Sequence, residues 1–112
     1  MPRFVGQLAQ ARPTDTNAAT LYSRPQNTTV YLDQLFICNT TGTAANASVF
    51  HDKDGTTKDA TTALYYATSI AANKTEKLDL KMYMNTASGT IGIQSGTGSA
   101  LTYTLYGEED PT

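Results

Sequence analysis

Short apolar runs alternate with clusters of turn-forming residues along the chain, and this rhythm limits the possible folds more than any other feature. The runs recur at roughly the 8–12-residue spacing that is typical of β-sandwiches and barrels. About eight candidate strands follow, with the sequences RFVGQLAQA, TLYSR, TTVYLDQLFICN, NASVFHD, TALYYATSI, EKLDLKMYMN, GTIGIQS and LTYTLYG. The segments between them are rich in Gly, Pro, Asn, Asp or Ser, which tight turns require. The sequence therefore predicts an all-β fold, an antiparallel β-sandwich of about 7–8 strands with either a jelly-roll or an immunoglobulin-like topology.

Apolar and polar side chains alternate in two of the runs, and this alternation assigns the side chains to faces. In residues 78–85 one face comprises Leu78, Leu80, Met82 and Met84, and the other comprises Asp79, Lys81, Tyr83 and Asn85. In the last run one face comprises Leu101, Tyr103 and Leu105, and the other comprises Thr102, Thr104 and Tyr106. A period of two excludes an amphipathic helix, whose apolar residues recur three and four positions apart. We therefore expect two half-buried strands.

The run at residues 30–38 has apolar side chains on both faces. Strict alternation places Val30, Leu32, Phe36 and Cys38 on one face, while Leu35 and Ile37 add apolar bulk to the other. A strand of this kind is typical of the middle of a sheet, so we expect it to be central and covered on both sides.

The chain length predicts one domain with a modest core. A domain of 112 residues buries only roughly two thirds of the surface of its unfolded chain. We therefore expect residues 1–112 to form a single β-sandwich domain. Pro2 and Pro13 bracket an extended apolar piece, so residues 1–15 are predicted to be either an extended N-terminal arm, which binds by adding to a neighbour's sheet, or the first strand of the sandwich.

Charge and cysteine content exclude several classes of partner. The net charge is −2 and the isoelectric point is about 5.1, which gives no electrostatic reason to expect nucleic acid or an anionic membrane as a partner. Cys38 is the single cysteine, so no intrachain disulfide can form, and we expect a buried thiol. Neither a signal peptide nor a membrane-spanning helix is evident, which predicts synthesis in a cytosol.

No motif in the sequence predicts catalysis, a cofactor or a metal site. His51 is the single histidine, and its neighbours Asp52 and Asp54 precede a glycine, as in a tight hairpin turn; a surface cation site is the alternative. The segment GTGSA, residues 96–100, lacks the lysine of a phosphate-binding loop and is predicted to be a hairpin turn. Glu108, Glu109 and Asp110 are predicted to form a solvated acidic tail after the last strand.

The best candidates for partner contacts are apolar and aromatic residues on two runs. Tyr and Met are enriched at protein interfaces, so the strand that carries Met82 and Tyr83 is either a contact edge or a core strand with an outward tyrosine. The predicted partner-binding residues are Phe4, Val5, Leu8, Met82 and Tyr83.

Residues 21–50, LYSRPQNTTVYLDQLFICNTTGTAANASVF, resemble a family of small virion structural proteins of tailed bacteriophages. The segments GQLAQA, ALYY and GTIGIQSGTGSALTYTLYG are similar to the same family, so the resemblance covers most of the chain. It implies a non-enzymatic β-sandwich that is made in the host cytoplasm and resides in the virion.

The size is similar to that of the decoration or cement proteins that stabilise capsid shells. The resemblance therefore implies a capsid decoration protein, a homodimer or homotrimer whose partner is the major capsid protein or another virion protein. The alternative is a tail, neck or fibre component, or a module of the same virion that binds glycans on the host surface. A small hydrolase centred on His51 is the third hypothesis.

Overall fold

The computed structural model describes residues 3–52, 57–84 and 89–111, and it confirms the all-β prediction. Eight strands are present in these ranges, and no helix is. The strands are β1 (Phe4–Ala11), β2 (Ala19–Ser23), β3 (Thr28–Asn39), β4 (Ala45–Asp52), β5 (Ala63–Ile70), β6 (Thr75–Met84), β7 (Thr90–Ser95) and β8 (Leu101–Pro111). Each of them coincides with one of the runs in the sequence, and β3 has the predicted bounds.

The strands form two four-stranded antiparallel sheets. Sheet 1 has the order β1-β8-β3-β6, and sheet 2 has the order β2-β7-β4-β5. The pairing is nested: β1 pairs with β8, β2 with β7, β3 with β6, and β4 with β5. The chain therefore runs out and back like one long hairpin that is folded over into two layers. Because both ends of the chain meet in sheet 1, most pairing in the fold joins residues that are far apart in sequence.

The core lies between the two sheets and consists of alternate side chains from each strand. Its fully buried large members include Val30, Leu32, Leu35, Ile37, Val49, Ile70, Ile91, Ile93, Leu101, Tyr103 and Leu105. Burying a side chain of this size stabilises the fold by about 1.5–3 kcal/mol relative to leaving it exposed. The Tyr103 hydroxyl crosses from sheet 1 to sheet 2, where it lies 3.0 Å from Ser95 Oγ and donates a 3.0 Å hydrogen bond to the Gln94 carbonyl.

A β-bulge at Asp33 changes which side chains of β3 face the core. Leu32 pairs with Gly107 of β8 and Gln34 pairs with Tyr106, so Asp33 is an extra residue on β3. Val30 and Leu32 before the bulge and Leu35 and Ile37 after it are all fully buried. The prediction that Phe36 and Cys38 share a face with Val30 was therefore wrong, because the bulge shifts the alternation by one residue.

Phe36 and Cys38 instead lie on the outer face of sheet 1. The Cys38 thiol is half-buried there, and not buried as predicted. The strand is central, as predicted, because β8 and β6 flank it. Its outer face is half-buried by neighbouring side chains, and no described strand packs over it.

The bulge at Asp33 is one of three that lie side by side across sheet 1. Leu8 is an extra residue on β1, and Leu80 and Lys81 lie opposite Asp33 on β6, where Lys81 has a φ of 51°. A 2.7 Å ion pair between Lys81 Nζ and Asp33 Oδ1 joins two of the bulged strands. Because bulges bend strands and increase their twist, this row marks a bend across the whole of sheet 1.

The inward and outward faces of β6 and β8 agree with the sequence pattern. Met84 is buried, and Leu78, Leu80 and Met82 pack against the core, whereas Tyr83 is exposed. Leu101, Tyr103 and Leu105 are buried, and Thr102, Thr104 and Tyr106 face outward. Asn85, which was predicted to share the outer face of β6, lies outside the described residues.

Glu108, Glu109 and Asp110 belong to β8 and do not form an acidic tail. Glu109 pairs with Phe4 of β1 and with Val30 of β3, and its carboxylate accepts a hydrogen bond from the Tyr22 hydroxyl of sheet 2. Alternation along β8 places Glu109 on the same side as Leu105, at the open end of the core. Burial and the adjacent carboxylate of Glu109 both raise the pKa of Tyr22. The prediction was wrong because pairing on both sides of β8 outweighs the low β-propensity of these acids.

The GTGSA segment connects the two sheets, so it is not a hairpin turn. It follows β7 of sheet 2 and precedes β8 of sheet 1, and these strands are not paired with each other. The segment is anchored to the loop after β1, since Ser99 N donates a 2.8 Å hydrogen bond to the Pro13 carbonyl. The predicted turn at Asp52–Gly55 falls largely on residues 53–56, which lie outside the described residues.

We expect Gly107→Ala to destabilise the fold by about 3 kcal/mol, the upper end of the usual range for overpacking. A Cβ at this position would overlap the Tyr31 carbonyl oxygen and lie 2.9 Å from Leu8 Cδ1. Gly107 pairs with Leu32 and Gly6 beside the row of bulges, so the backbone on both sides resists displacement. Urea unfolding followed by circular dichroism measures the change.

The matched control for this substitution is Gly42→Ala. A Cβ at Gly42 would have no neighbour within 4 Å, so this variant should be as stable as the wild type or slightly more stable. Equal stability of the two variants would contradict the close approach of β8 and β3 at Gly107.

Candidate interaction surface on the outer face of sheet 1

Four aromatic side chains form two pairs on the outer face of sheet 1. Tyr31 of β3 and Tyr83 of β6 are cross-strand neighbours, with ring centroids 5.1 Å apart and planes at 53°. Phe36 of β3 and Tyr106 of β8 meet edge to face, with centroids 5.7 Å apart and planes at 83°. These geometries are the ones that aromatic pairs prefer, because the ring edge is positive and the ring face is negative. We call Tyr31, Phe36, Tyr83 and Tyr106 the aromatic face.

The bulge at Asp33 separates the two aromatic pairs and places polar groups between them. Asp33 and Gln34 both point outward, since the residues on either side of them, Leu32 and Leu35, are buried. A surface cavity of about 580 Å³ lies here. Its lining includes Val5, Gln10, Tyr31, Asp33, Gln34, Phe36, Thr104, Tyr106 and Glu108. The cavity is therefore mainly aromatic and amide-lined, with carboxylates at two points.

Ion pairs and hydrogen bonds surround the aromatic face. Gln34 Nε2 donates to Asp79 Oδ1 at 3.2 Å, and Gln10 Nε2 donates to Thr104 Oγ1 at 3.0 Å. On the β1 side, Arg3 Nε lies 3.7 Å from Glu108 Oε2. Exposed pairs of this kind stabilise a fold by only about 0–1 kcal/mol, so their main effect is to orient the polar side chains around the rings.

Two titrating groups at this rim have shifted pKa values. The hydrogen bond to Asp33 raises the pKa of Lys81, which keeps this ammonium charged. A hydrogen bond with Asp110 and the negative charge of that neighbour raise the pKa of Glu108, while Arg3 opposes the shift. Asp33 and Glu108 are the two carboxylates of the described cavity lining, which contains neither histidine nor cysteine.

The structure places the predicted partner-binding residues on both sides of sheet 1. Val5, which is 63% exposed, lines the cavity, and Tyr83, which is 68% exposed, belongs to the aromatic face. Phe4 is also exposed, and its ring lies over Gly6. Leu8 and Met82 pack against the core instead. That these five residues bind a partner stays a prediction.

Sequence reasoning missed Tyr31, Phe36 and Tyr106. Phe36 was assigned to the wrong face because strict alternation was extended through Asp33. A signal was present in the sequence: the adjacent polar pair Asp33-Gln34 interrupts an otherwise apolar run, which indicates a residue pair that cannot alternate between core and solvent. Tyr31 and Tyr106 are outward positions of their strands, but their proximity depends on a pairing that the sequence does not reveal.

His51 is half-buried near the end of β4, where its backbone N donates a 2.9 Å hydrogen bond to the Thr62 carbonyl. Burial lowers the pKa of His51, and the charge of Asp52 partly offsets this effect. Across residues 3–52, 57–84 and 89–111, no three His, Cys, Asp or Glu side chains are grouped in a way that could hold a metal ion. Asp54, named with His51 in the cation alternative, lies outside these ranges.

The described residues define a two-layer, eight-stranded β-sandwich with four aromatic side chains on the outer face of sheet 1. No helix in the described part of the chain is long and apolar enough to cross a membrane. No protein-family model matches the chain, and no curated protein matches it either.

The fold is shared with proteins of virus particles. A chain of the T13 infectious bursal disease virus particle aligns with a TM-score of 0.59 and 12% identity, over 96% of this chain and 30% of that chain. A chain of the Gx strain of the same virus gives 0.57 and 13%, over 96% and 32%. A weaker similarity, with a TM-score of 0.48 and 10% identity, links 98% of this chain to 85% of a chain in the cyanophage Pam1 capsid. The chain thus spans about a third of the length of the bursal disease virus chains.

We expect the stability of the protein to decrease as the pH falls below the ordinary histidine pKa of about 6.5, with part of the decrease due to His51. The folded-state pKa is lowered, so the unfolded chain binds a proton first. The stability contribution of neutral His51 is therefore complete above pH 6.5 and is lost between that value and the folded-state pKa.

Urea unfolding of the wild type and of His51→Gln at several pH values between 8 and 5 measures this contribution. The difference in unfolding free energy between the two proteins should be constant above pH 7 and should shift in favour of the variant at lower pH. A difference that does not depend on pH would contradict the prediction, because it would show that His51 has the same pKa in the folded protein and in the unfolded chain.

Proposed function

We propose that this chain is a virion structural protein, and specifically a capsid decoration or cement protein that binds the assembled head and stabilises it. The observation that carries the proposal is the aromatic face: four rings and Val5 on the outer side of a sheet that no described element covers. Aromatic residues are enriched at protein interfaces, so a sheet face that carries two aromatic pairs around a small polar centre is suited to contact with a protein.

The polar side chains around the aromatic face support the proposal that the partner is a protein. Binding hot spots are aromatic side chains enclosed by polar contacts that exclude water. Here Tyr31 and Tyr83 are bordered by the Lys81–Asp33 ion pair, and Tyr106 is bordered by Glu108 and Gln34. The partner in this proposal is the major capsid protein or another virion protein.

The winding of the chain and the structural similarities support the setting of a virus particle. Nested pairing of the first strand with the last, in two four-stranded sheets, fits a jelly roll better than an immunoglobulin-like sandwich, so we infer jelly-roll topology. The similar chains of infectious bursal disease virus belong to an icosahedral particle. We further infer that residues 1–112 work as one sandwich domain, in which β1 contributes Val5 to the interface.

A decoration protein stabilises a shell through many equivalent contacts. Each copy needs only a modest interface, on the order of 1,000 Å², because the symmetric lattice repeats the contact and a homodimer or homotrimer engages several shell subunits at once. Simultaneous engagement of neighbouring subunits raises the free energy of separating them, which is how a small domain without catalytic groups strengthens a head.

Binding to heads assembled without the protein tests the proposal. The wild type should bind heads at a fixed ratio to the lattice units and raise the temperature at which they burst. Tyr83→Ala and Tyr31→Ala should each weaken binding by about tenfold or more, because each removes an aromatic ring from the proposed contact. Pelleting of heads with labelled protein measures the copies bound.

Leu64→Ala is the matched control for these variants. Leu64 is also an exposed apolar residue, but it lies on β5 of sheet 2, so head binding should be unchanged. Binding to isolated tails without binding to heads would overturn the decoration role and would favour a tail, neck or fibre component. Heads that burst at the same temperature with and without bound protein would overturn the cement role.

A further inference from the structure

A second concave site lies on the outer face of sheet 2, on the opposite side of the sandwich from the aromatic face. Its volume is about 350 Å³, and we call it the polar trough. Its described lining comprises Thr16, Asn46, Ser48, Tyr66, Ala67, Gln94, Ser95 and Gly96. None of these side chains is charged, and one of them is aromatic. This composition distinguishes the polar trough from the acid-rimmed cavity of sheet 1.

A bulge in β5 turns Tyr66 toward the trough. Ala47 pairs with Thr68 and Val49 pairs with Tyr65, so Tyr66 and Ala67 together oppose the single residue Ser48. Ala67 has a φ of 49°, in the left-handed region that a residue with a Cβ rarely adopts. Ser48, which is buried, holds this conformation because its Oγ accepts a 2.8 Å hydrogen bond from Ala67 N. Strained backbone of this kind concentrates at binding sites, where the surrounding structure enforces it.

Phe50 of β4 supports the Tyr66 ring on the side that faces sheet 2. Phe50 alternates with core residue Val49, so it points to the outer face of sheet 2, and yet it is fully buried. The Tyr66 ring meets Phe50 edge to face, with centroids 6.5 Å apart and planes at 67°. The other side of the tyrosine remains accessible, since 57% of the residue is exposed. The trough thus has one supported aromatic wall.

Amide groups on paired strands form the floor of the trough. Ser48 of β4 is directly opposite Gln94 of β7, and Gly96 N donates a 2.8 Å hydrogen bond to the Asn46 carbonyl. Gln94 Nε2 donates a 3.1 Å hydrogen bond to the Thr16 carbonyl, which fixes the orientation of that side-chain amide. A Cβ on Gly96 would lie 3.3 Å from Asn46 Cβ, so the glycine keeps the floor open beside Asn46.

We propose that the polar trough binds a neutral carbohydrate, with one sugar ring against Tyr66 and with its hydroxyl groups hydrogen-bonded to Asn46 and Gln94. A sugar presents polarised C–H groups on its faces, which are attracted to the negative face of an aromatic ring. Its hydroxyl groups both donate and accept, as do side-chain amides. The volume of the trough lies near the lower end of the range for small-molecule sites, which suits one ring of a longer glycan.

The uncharged lining favours neutral sugars over sialic acid or sulfated sugars. An anionic sugar needs a basic group to compensate for the loss of its hydration, and none of the lining residues is basic. The proposal is independent of the head-binding role. Because the two outer faces are on opposite sides of the sandwich, a copy attached through the aromatic face keeps the trough exposed to solvent.

Amide chemical-shift mapping of the full chain with methyl glycosides of glucose, galactose, mannose and N-acetylglucosamine tests the proposal. At least one of these sugars should shift amides around Asn46, Ser48 and Gln94 in a saturable way, at concentrations up to about 10 mM, which would nearly saturate a site with a Kd of 1 mM. Sialic acid and a sulfated galactoside serve as negatively charged control ligands, and neither should bind more tightly than the neutral sugars.

Three variants on sheet 2 and one on sheet 1 separate stacking from other effects. Tyr66→Ala should weaken sugar binding by about fivefold or more, whereas Tyr66→Phe should retain it, because the ring is preserved. Leu64→Ala, an exposed apolar position on β5 outside the trough, and Tyr83→Ala on sheet 1 should leave the Kd for sugar unchanged. Spectra of the free variants confirm that each is folded.

Several outcomes would overturn the proposal. They are the absence of shifts with all four neutral sugars, tighter binding of the charged sugars, and equal weakening by Leu64→Ala and Tyr66→Ala. If Tyr66→Ala does not fold, Gln94→Ala replaces it. An unchanged affinity of Gln94→Ala for the neutral sugar would show that the sugar does not bind in the polar trough. Loss of head binding in Tyr83→Ala with intact sugar binding would show that the two faces act separately.

Discussion

One extra residue in β3 determines which side chains of sheet 1 face the core and which face the solvent. Without the bulge at Asp33, a central strand of alternating residues would turn either Val30 and Leu32 or Leu35 and Ile37 away from the core. With it, all four are buried, and Tyr31 and Phe36 are both on the outer face. The close approach of Gly107 to Tyr31 and the Lys81–Asp33 ion pair depend on the same local geometry. The core and the aromatic face are therefore two results of one backbone feature.

Element positions were predictable because they depend on local patterns. Period-two runs and Gly, Pro and Asn clusters define all eight strands, and the faces of β8 follow directly from alternation. Features that depend on distant pairing were not predictable. The GTGSA segment looks like a hairpin turn, but it crosses between sheets because β8 pairs with β1 and β3. Glu109 looks like part of a tail, but two neighbouring strands and the Tyr22 hydroxyl hold it.

The candidate site was predictable only where an outward residue could be recognised on its own strand. Tyr83 lies between Met82 and Met84, and alternation correctly placed its side chain on the outer face of the strand. The same alternation places Met82 on the core side, where it packs. Leu8 was grouped with Val5 from composition, but alternation from the exposed Val5 already places Leu8 on the inner face, where it packs against the core. A site assembled from three strands that are distant in sequence requires the register of the sheet, which composition and periodicity do not specify.

The same backbone device creates both proposed sites, and this explains why they differ. A bulge keeps two successive side chains on one face of a strand, so it concentrates outward groups at one point of a sheet. In sheet 1 those groups are Asp33 and Gln34 between aromatic pairs, which yields a large surface with ion pairs suited to a protein. In sheet 2 they are Tyr66 and Ala67 above a floor of amides, which yields a small neutral trough. Because the aromatic face and the polar trough lie on opposite sides of the two-layer sandwich, the two proposed sites do not compete for the same surface.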